Sequence, residues 1–327
     1  MFMLNLGIFV VACIVLVKSS GSLVRSLIKI SSFLRLNEFT IGFIIMAIST
    51  SLPEMFVGIM SAINNVSSFS LGNVIGSNIL DLTIVVGIVA VLAKGIRIKS
   101  KIIKKDLAYM MFFIFLPILL MVDAKLWRLF GFTNATIGLT RPDGVILLLA
   151  FIIYLWSLVK QEKLFRKSID HTPKREIFKY IFFFILSISL LFVSSDYVVK
   201  YAELLSLDLN VPPILIGLFL ISFGTSLPEL MFETKAVLSR HEEMAVGDLI
   251  GSVITNSTLV LGVTAIITPI TGNLLVFFSS TIFLVLIAFI FITFAESDHG
   301  LSWKEGMSLI LLYIFFIVIE TYIKATV

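Results

Sequence analysis

The sequence predicts an all-α membrane protein of ten transmembrane helices, arranged as two inverted five-helix repeats with broken helices 2 and 7. Three observations carry this expectation. Of 327 residues, 58% are hydrophobic and only 14% are charged, where a soluble domain carries about a quarter charged residues. Apolar runs long enough to cross a bilayer, about 20 residues each, recur along the whole chain. Finally, Thr50-Ser51-Leu52-Pro53-Glu54 recurs as Thr225-Ser226-Leu227-Pro228-Glu229, each copy inside an apolar run.

Hydropathy and punctuation place the spans at 2–17, 37–63, 70–93, 107–123, 143–159, 177–195, 211–238, 246–268, 274–295 and 303–323. The first segment has no basic n-region and no small-residue cleavage pattern before Lys18-Ser19-Ser20, so it reads as a retained span rather than a signal peptide. Lys160 through Arg175 is the main charged connection. It divides the chain into a first unit, 1–159, a linker, 160–176, and a second unit, 177–327. With the N-terminus outside, 20 of the 25 Lys and Arg residues fall in inner loops, and only Lys125, Arg128, Arg141, Lys200 and Lys324 fall outside. The positive-inside bias therefore predicts a multi-pass cell-membrane protein with both termini extracellular.

The two units read as copies of each other. Laid over each other at an offset of 175, residues 41–87 and 216–262 are identical at 15 of 47 positions. Glu54 meets Glu229, Ser77 meets Ser252, Gly87 meets Gly262, and Asp81 meets Asn256. Apolar bias alone would not align the polar and glycine positions. An odd number of spans per copy turns the second upside down, which places a shared site near the bilayer midplane.

Several function classes drop out on composition. Cys13 is the only cysteine, and His171, His241 and His299 fall in predicted loops, so neither a disulfide nor a thiolate or imidazole metal centre is expected. The formal charge of +4 reflects basic residues flanking spans and not a nucleic-acid surface. No cofactor and no obligate protein partner is expected; the bilayer is the partner that composition demands.

The paired motifs carry the chemistry. Pro53 has no N–H, so the Ser49 carbonyl loses its helical partner and the ring displaces the Thr50 carbonyl. Gly224 and Thr225 stand in the same relation to Pro228. Ser51 with Glu54, and Ser226 with Glu229, fit a capping box. Each motif thus predicts a discontinuous helix that presents free carbonyls and a carboxylate at one level. Kinks with caps and nothing more are the plainer account, but ionisable groups at membrane depth are functional by default. Ser77 and Asp81, four apart, share a helix face, as do Ser252 and Asn256. Gly72 with Gly76, and Gly247 with Gly251, are small-residue pairs for close helix packing. Asn73 and Asp248, nearer the span ends, read as gate or vestibule groups. Oxygen-only coordination of flexible geometry suits Ca²⁺, and Na⁺ uses the same ligands.

At this point the residues resemble the calcium/cation antiporter superfamily, and within it the prokaryotic type of sodium/calcium exchanger. Ala47-Ile48-Ser49-Thr50-Ser51-Leu52-Pro53-Glu54 with Gly72-Asn73-Val74-Ile75-Gly76-Ser77-Asn78 carries the likeness in the first half. Ser222-Phe223-Gly224-Thr225-Ser226-Leu227-Pro228-Glu229 with Gly247-Asp248-Leu249-Ile250-Gly251-Ser252 carries it in the second. The resemblance implies that Glu54 and Glu229 ligate Ca²⁺ together with backbone oxygens of Thr50 and Thr225. It implies Na⁺ sites using Ser51, Ser77, Ser226, Ser252 and the backbone around Ala47 and Ser222, with Asp81 and Asn256 as the central pair. Ser49 departs from the family's usual glycine, and Asp81 and Asn256 reverse its usual order of amide and acid.

The activity implied is Ca²⁺ for Na⁺ antiport by alternating access, with no covalent chemistry and no enzyme function. Spans 1 and 6 are expected to slide as a gate. With Ca²⁺ bound, one of three carboxylates stays uncompensated unless protonated, and Asp81 is the candidate. The alternatives are the same fold coupled to H⁺ or K⁺ or moving another divalent cation, a membrane enzyme using paired acids, and a passive channel.

Overall fold

In the computed structural model the described residues are 1–33, 46–96, 98, 101–129, 138–162, 174–271, 274–297 and 300–326. The two longest helices, α1 (Phe2–Phe33) and α8 (Lys174–Leu209), outrun the expected spans 2–17 and 177–195. Their polar residues do not stop them. Ser26 donates to the Ser22 carbonyl at 2.9 Å, and Ser194 and Ser195 donate to the carbonyls of Leu190 and Phe192 at 2.7 and 3.0 Å. Hydroxyls satisfied inside the helix leave the ladder intact. Seven-residue stripes, Phe9, Leu16 and Leu23 on α1 and Leu191, Val198 and Leu205 on α8, are buried in one cluster between the two. Spacing of this kind seats one helix along another over several turns. Asn5, near the start of α1, donates to Asp208, near the end of α8, at 2.9 Å, so the pair runs antiparallel.

The remaining helices enclose a second cluster. The first motif lies where α2 (Met46–Thr50) gives way at Ser51, φ −80 and ψ 5, to α3 (Leu52–Ile63). The beginning of the expected second span, 37–45, lies outside the described residues. Next comes α4 (Ser68–Leu80), which passes through a π-helical turn at Asp81–Val85 into α5 (Val86–Leu92). Two peripheral helices follow, α6 (Lys101–Leu129) and α7 (Arg141–Glu162).

After α8 the pattern returns. A turn of α9 (Pro213–Ile216), a π turn at Gly217–Ile221 and α10 (Ser222–Thr225) lead to a second bend at Ser226, φ −80 and ψ 1, before α11 (Leu227–Leu238). Then α12 (Glu242–Thr255) passes through a π turn at Asn256–Val260 into α13 (Leu261–Ile267). The chain closes with α14 (Leu274–Ala295) and α15 (Trp303–Thr326).

Nine helices among the described residues are long and apolar enough to cross a membrane. The most enclosed are the α4–α5 and α12–α13 rods. Small residues let α4 approach closely: a Cβ at Gly76 would lie 2.6 Å from Ser222 Oγ, and one at Gly217 would lie 2.5 Å from the Phe69 carbonyl oxygen. In lipid, where hydrophobicity does not drive helices together, such contacts supply the packing energy. The expected glycine pairing thus appears for Gly72 and Gly76 against α9 and the π turn after it, while α12, which carries Gly247 and Gly251, packs on α2.

Candidate functional site

The site grows from the two bends. Each is a serine in the bridge region of backbone space, with a proline at the second residue of the helix that follows. The expected capping boxes do not form: no side-chain hydrogen bond caps either helix. Glu54 Oε1 accepts from the Ser77 hydroxyl at 3.2 Å, and the buried hydroxyls of Ser51 and Ser226 have no hydrogen-bond partner among the described residues.

The threonine before each bend reaches into the opposite half. Thr50 Oγ1 lies 3.0 Å from Ser252 Oγ and donates to Asp248 Oδ1 at 3.4 Å. Thr225 Oγ1 lies 3.3 Å from Ser77 Oγ and donates to Asn73 Oδ1 at 3.0 Å. Thr50 and Thr225, Ser252 and Ser77, Asp248 and Asn73 are all pairs at the offset of 175. The two contacts are therefore the same contact made twice, with the halves exchanged. Asn73 and Asp248, expected near the span ends, instead sit fully buried against the motif threonines. The reason is that α4 and α12 run through the centre, so positions one turn before Ser77 and Ser252 are still deep.

Asp81 and Asn256 each open a π turn. Such a turn widens the helix by one residue and recurs at functional sites. The extra residue at each π turn was not legible in spacing or composition. Asn256 donates to Asn78 Oδ1 at 3.2 Å, and Asn78 donates to Ser257 at 2.9 Å. This amide chain fixes Asn256 and leaves its carbonyl oxygen without a partner among the described residues. Ser222 is placed beside the site, but its hydroxyl donates to the Leu218 carbonyl at 2.6 Å. Its own carbonyl accepts from Ser226 N at 2.9 Å and Thr225 Oγ1 at 3.3 Å. Ala47 lies in α2, one turn before Thr50.

Five carboxylates are buried here: Glu54, Asp81, Glu229, Glu233 and Asp248. Both oxygens of Asp81 and of Glu229, Oε2 of Glu54, Oε1 of Glu233 and Oδ2 of Asp248 have no hydrogen-bond partner among the described residues. No Lys, Arg or His side chain is among the buried described residues. Unpaired buried charge costs several kcal/mol per ion, so this arrangement calls for cations. Among the described residues no three acidic, histidine or cysteine side chains gather closely enough to hold a metal unaided. Threonine and serine oxygens of both halves surround the acids instead.

Glu233 was not singled out in the sequence. It stands one turn beyond Glu229, and its counterpart in the first half is Gly58. A Cβ at Gly58 would lie 2.6 Å from Thr264 Oγ1 and 3.0 Å from Ser70 Oγ, so that half has no room for a side chain there. The available signal was an acid at i+4 in an apolar run.

The family described as sodium/calcium exchanger protein matches residues 4–160 and 179–322. Sodium/calcium exchanger MaX1 of Methanosarcina acetivorans is 28% identical, covering 99% of this chain and 100% of that protein. An uncharacterized membrane protein of Methanocaldococcus jannaschii is 31% identical over 253 residues, 77% of this chain and 78% of that one. A solved structure of the sodium-calcium exchanger NCX_Mj, soaked with 10 mM Na⁺ and zero Ca²⁺, superposes with a TM-score of 0.66 and 26% identity. It covers 97% of this chain and 99% of that chain.

Proposed function

Because the chain belongs to the sodium/calcium exchanger family, whose members are cation antiporters, we propose that it exchanges Ca²⁺ for Na⁺ by alternating access at the cage between the two bends. The observation that carries this reading is the crossed contact, Thr50 with Ser252 and Thr225 with Ser77. It brings two identical motifs, far apart in sequence, to a single cluster of buried carboxylates, most of whose oxygens have no partner among the described residues.

In this reading ten spans form two inverted repeats, 1–159 and 177–327, joined by a cytoplasmic linker at 160–176, with both termini outside. Glu54 and Glu229 ligate Ca²⁺ with the backbone oxygens of Thr50 and Thr225. Ser51, Ser77, Ser226, Ser252 and the backbone near Ala47 and Ser222 serve Na⁺. Asp81 and Asn256 lie between the two ligand sets. Hard, flexible oxygen coordination fits both ions. The overlapping oxygens make them compete, so the protein changes face loaded with one ion set or the other.

One observation favours a second reading, the same site coupled to H⁺. Five buried carboxylates exceed the charge of one Ca²⁺, so protons would complete the neutralisation. The test is Ca²⁺ uptake into proteoliposomes under an imposed Na⁺ gradient, repeated with K⁺ and with a pH gradient alone. Uptake that follows Na⁺ and ignores the other two supports Na⁺ coupling. Uptake driven by pH alone selects the second reading, and uptake indifferent to every gradient overturns both.

A further inference from the structure

A cavity of about 760 Å³ opens between α1 and the α10–α11 segment, with Thr50 at its inner end. Its walls are apolar: Phe9, Ile14 and Val17 on one side, Phe223, Leu227 and Met231 on the other. Ile14, Phe223 and Met231 are largely exposed, so the cavity faces the surroundings of the helix bundle and not its core. Three further lining residues are Lys18, Arg25 and Lys235. None of the lining residues is acidic.

The helices touch where a Cβ at Gly224 would lie 3.1 Å from Cys13 Sγ. All three basic residues lie C-terminal of that contact on their own helices, with Arg25 and Lys235 each about three turns on. Arg25 Nε donates to the Gly21 carbonyl at 2.9 Å. No carboxylate among the described residues pairs with Lys18, Arg25 or Lys235.

An apolar cleft with three cations toward one end is a poor route for Ca²⁺, which they repel. It suits a ligand with a long hydrocarbon part and an anionic head. We propose that this cleft binds an anionic phospholipid, its acyl chain lying between α1 and α10–α11 and its phosphate held by Lys18, Arg25 and Lys235. Basic residues flanking apolar membrane helices attract anionic headgroups, and the cavity volume falls in the range of ligand pockets. A chain seated there would also close the Thr50 side of the cage to the bilayer. This inference is independent of which ions are exchanged.

The test is native mass spectrometry of the purified full-length protein offered phosphatidylglycerol or phosphatidylcholine of equal chain length. The expected result is one retained phosphatidylglycerol per chain, favoured at least about fivefold over phosphatidylcholine. The triple variant Lys18→Gln/Arg25→Gln/Lys235→Gln brings the two lipids to parity. A control, Lys94→Gln/Lys179→Gln, keeps the preference. The variant Val17→Trp, which fills the cleft and leaves the charges intact, loses the retained lipid. Equal retention of both lipids by the unmodified protein would overturn the proposal. So would a preference that survives the triple substitution, or one lost equally in the control.

Discussion

Thr50 and Thr225 each join one half's bend to the other half's buried rod, and neighbours of unlike chemistry meet them. Thr50 faces an acid, Asp248, while Thr225 faces an amide, Asn73. Thr225→Val should leave Asn73 and Ser77 without this partner, at about 1–3 kcal/mol for buried groups left unpaired. The expected outcome is a lower melting temperature in detergent, with Thr225→Ser close to the parent. Asp248→Asn tests charge separately from hydrogen bonding, because the amide oxygen still accepts from Thr50. It should raise the Ca²⁺ concentration for half-maximal transport by about tenfold, equivalent to about 1.4 kcal/mol, with a smaller change for Na⁺; ion-titrated flux measures both. Glu54, Glu229 and Asp81 were legible as site candidates because acids in apolar runs are costly. The depth of Asp248 was not, since a span edge read from hydropathy does not say how far a rod extends through the centre. Glu233 had only a weak i+4 signal and no counterpart in the first half.

The two broken helices were predicted from proline and serine, and the bends occur at Ser51 and Ser226. The local device differs from expectation: the serines do not cap, and Glu54 bonds to Ser77 on a neighbouring helix. A capping box is a local pattern, and of the four members of the two boxes only Glu54 takes a tertiary side-chain partner instead, while the side chains of Ser51, Ser226 and Glu229 have none among the described residues. The π turns at Asp81 and Asn256 were invisible because a one-residue widening leaves the apolar period almost unchanged. The length of α1 and α8 was missed for a related reason. Lys18-Ser19-Ser20 and Ser194-Ser195-Asp196 look like loop punctuation, yet a long antiparallel seam carries both helices through, with Ser194 and Ser195 satisfied within α8. That seam suits two helices moving as one body against the rest. The contact between α1 and α10 offers a test. A Cβ at Gly224 would lie 3.5 Å from Cys13 Cβ, within disulfide range. In a Gly224→Cys variant, oxidation should stop transport and reduction should restore it, with the reduced protein near parental rate. Full transport by the oxidised form would rule out a sliding α1.

At the scale of the whole molecule, two copies of one helix pattern at an offset of 175 converge on a common centre. The breaks, the π turns at Asp81 and Asn256, the threonine contacts and the Glu54/Glu229 pair repeat, whereas the other buried charges do not. Acids stand at 81, 233 and 248, opposite Asn256, Gly58 and Asn73. The symmetric parts build the cage, and the asymmetric charges are where ion preference is expected to be set. The exchange Asp81→Asn/Asn256→Asp, which swaps the pair and keeps total charge, should retain exchange and shift the ratio of Ca²⁺ to Na⁺ affinity, read from competition between the ions in flux assays. The central claim is that one cage uses an acid from each half. Its most direct test is radiolabelled Ca²⁺ uptake into proteoliposomes under an outward Na⁺ gradient, comparing the parent with Glu54→Gln and with Glu229→Gln. Both single variants should lose uptake to the level of protein-free vesicles while remaining folded and inserted; uptake preserved in either one would contradict a cage shared between the halves.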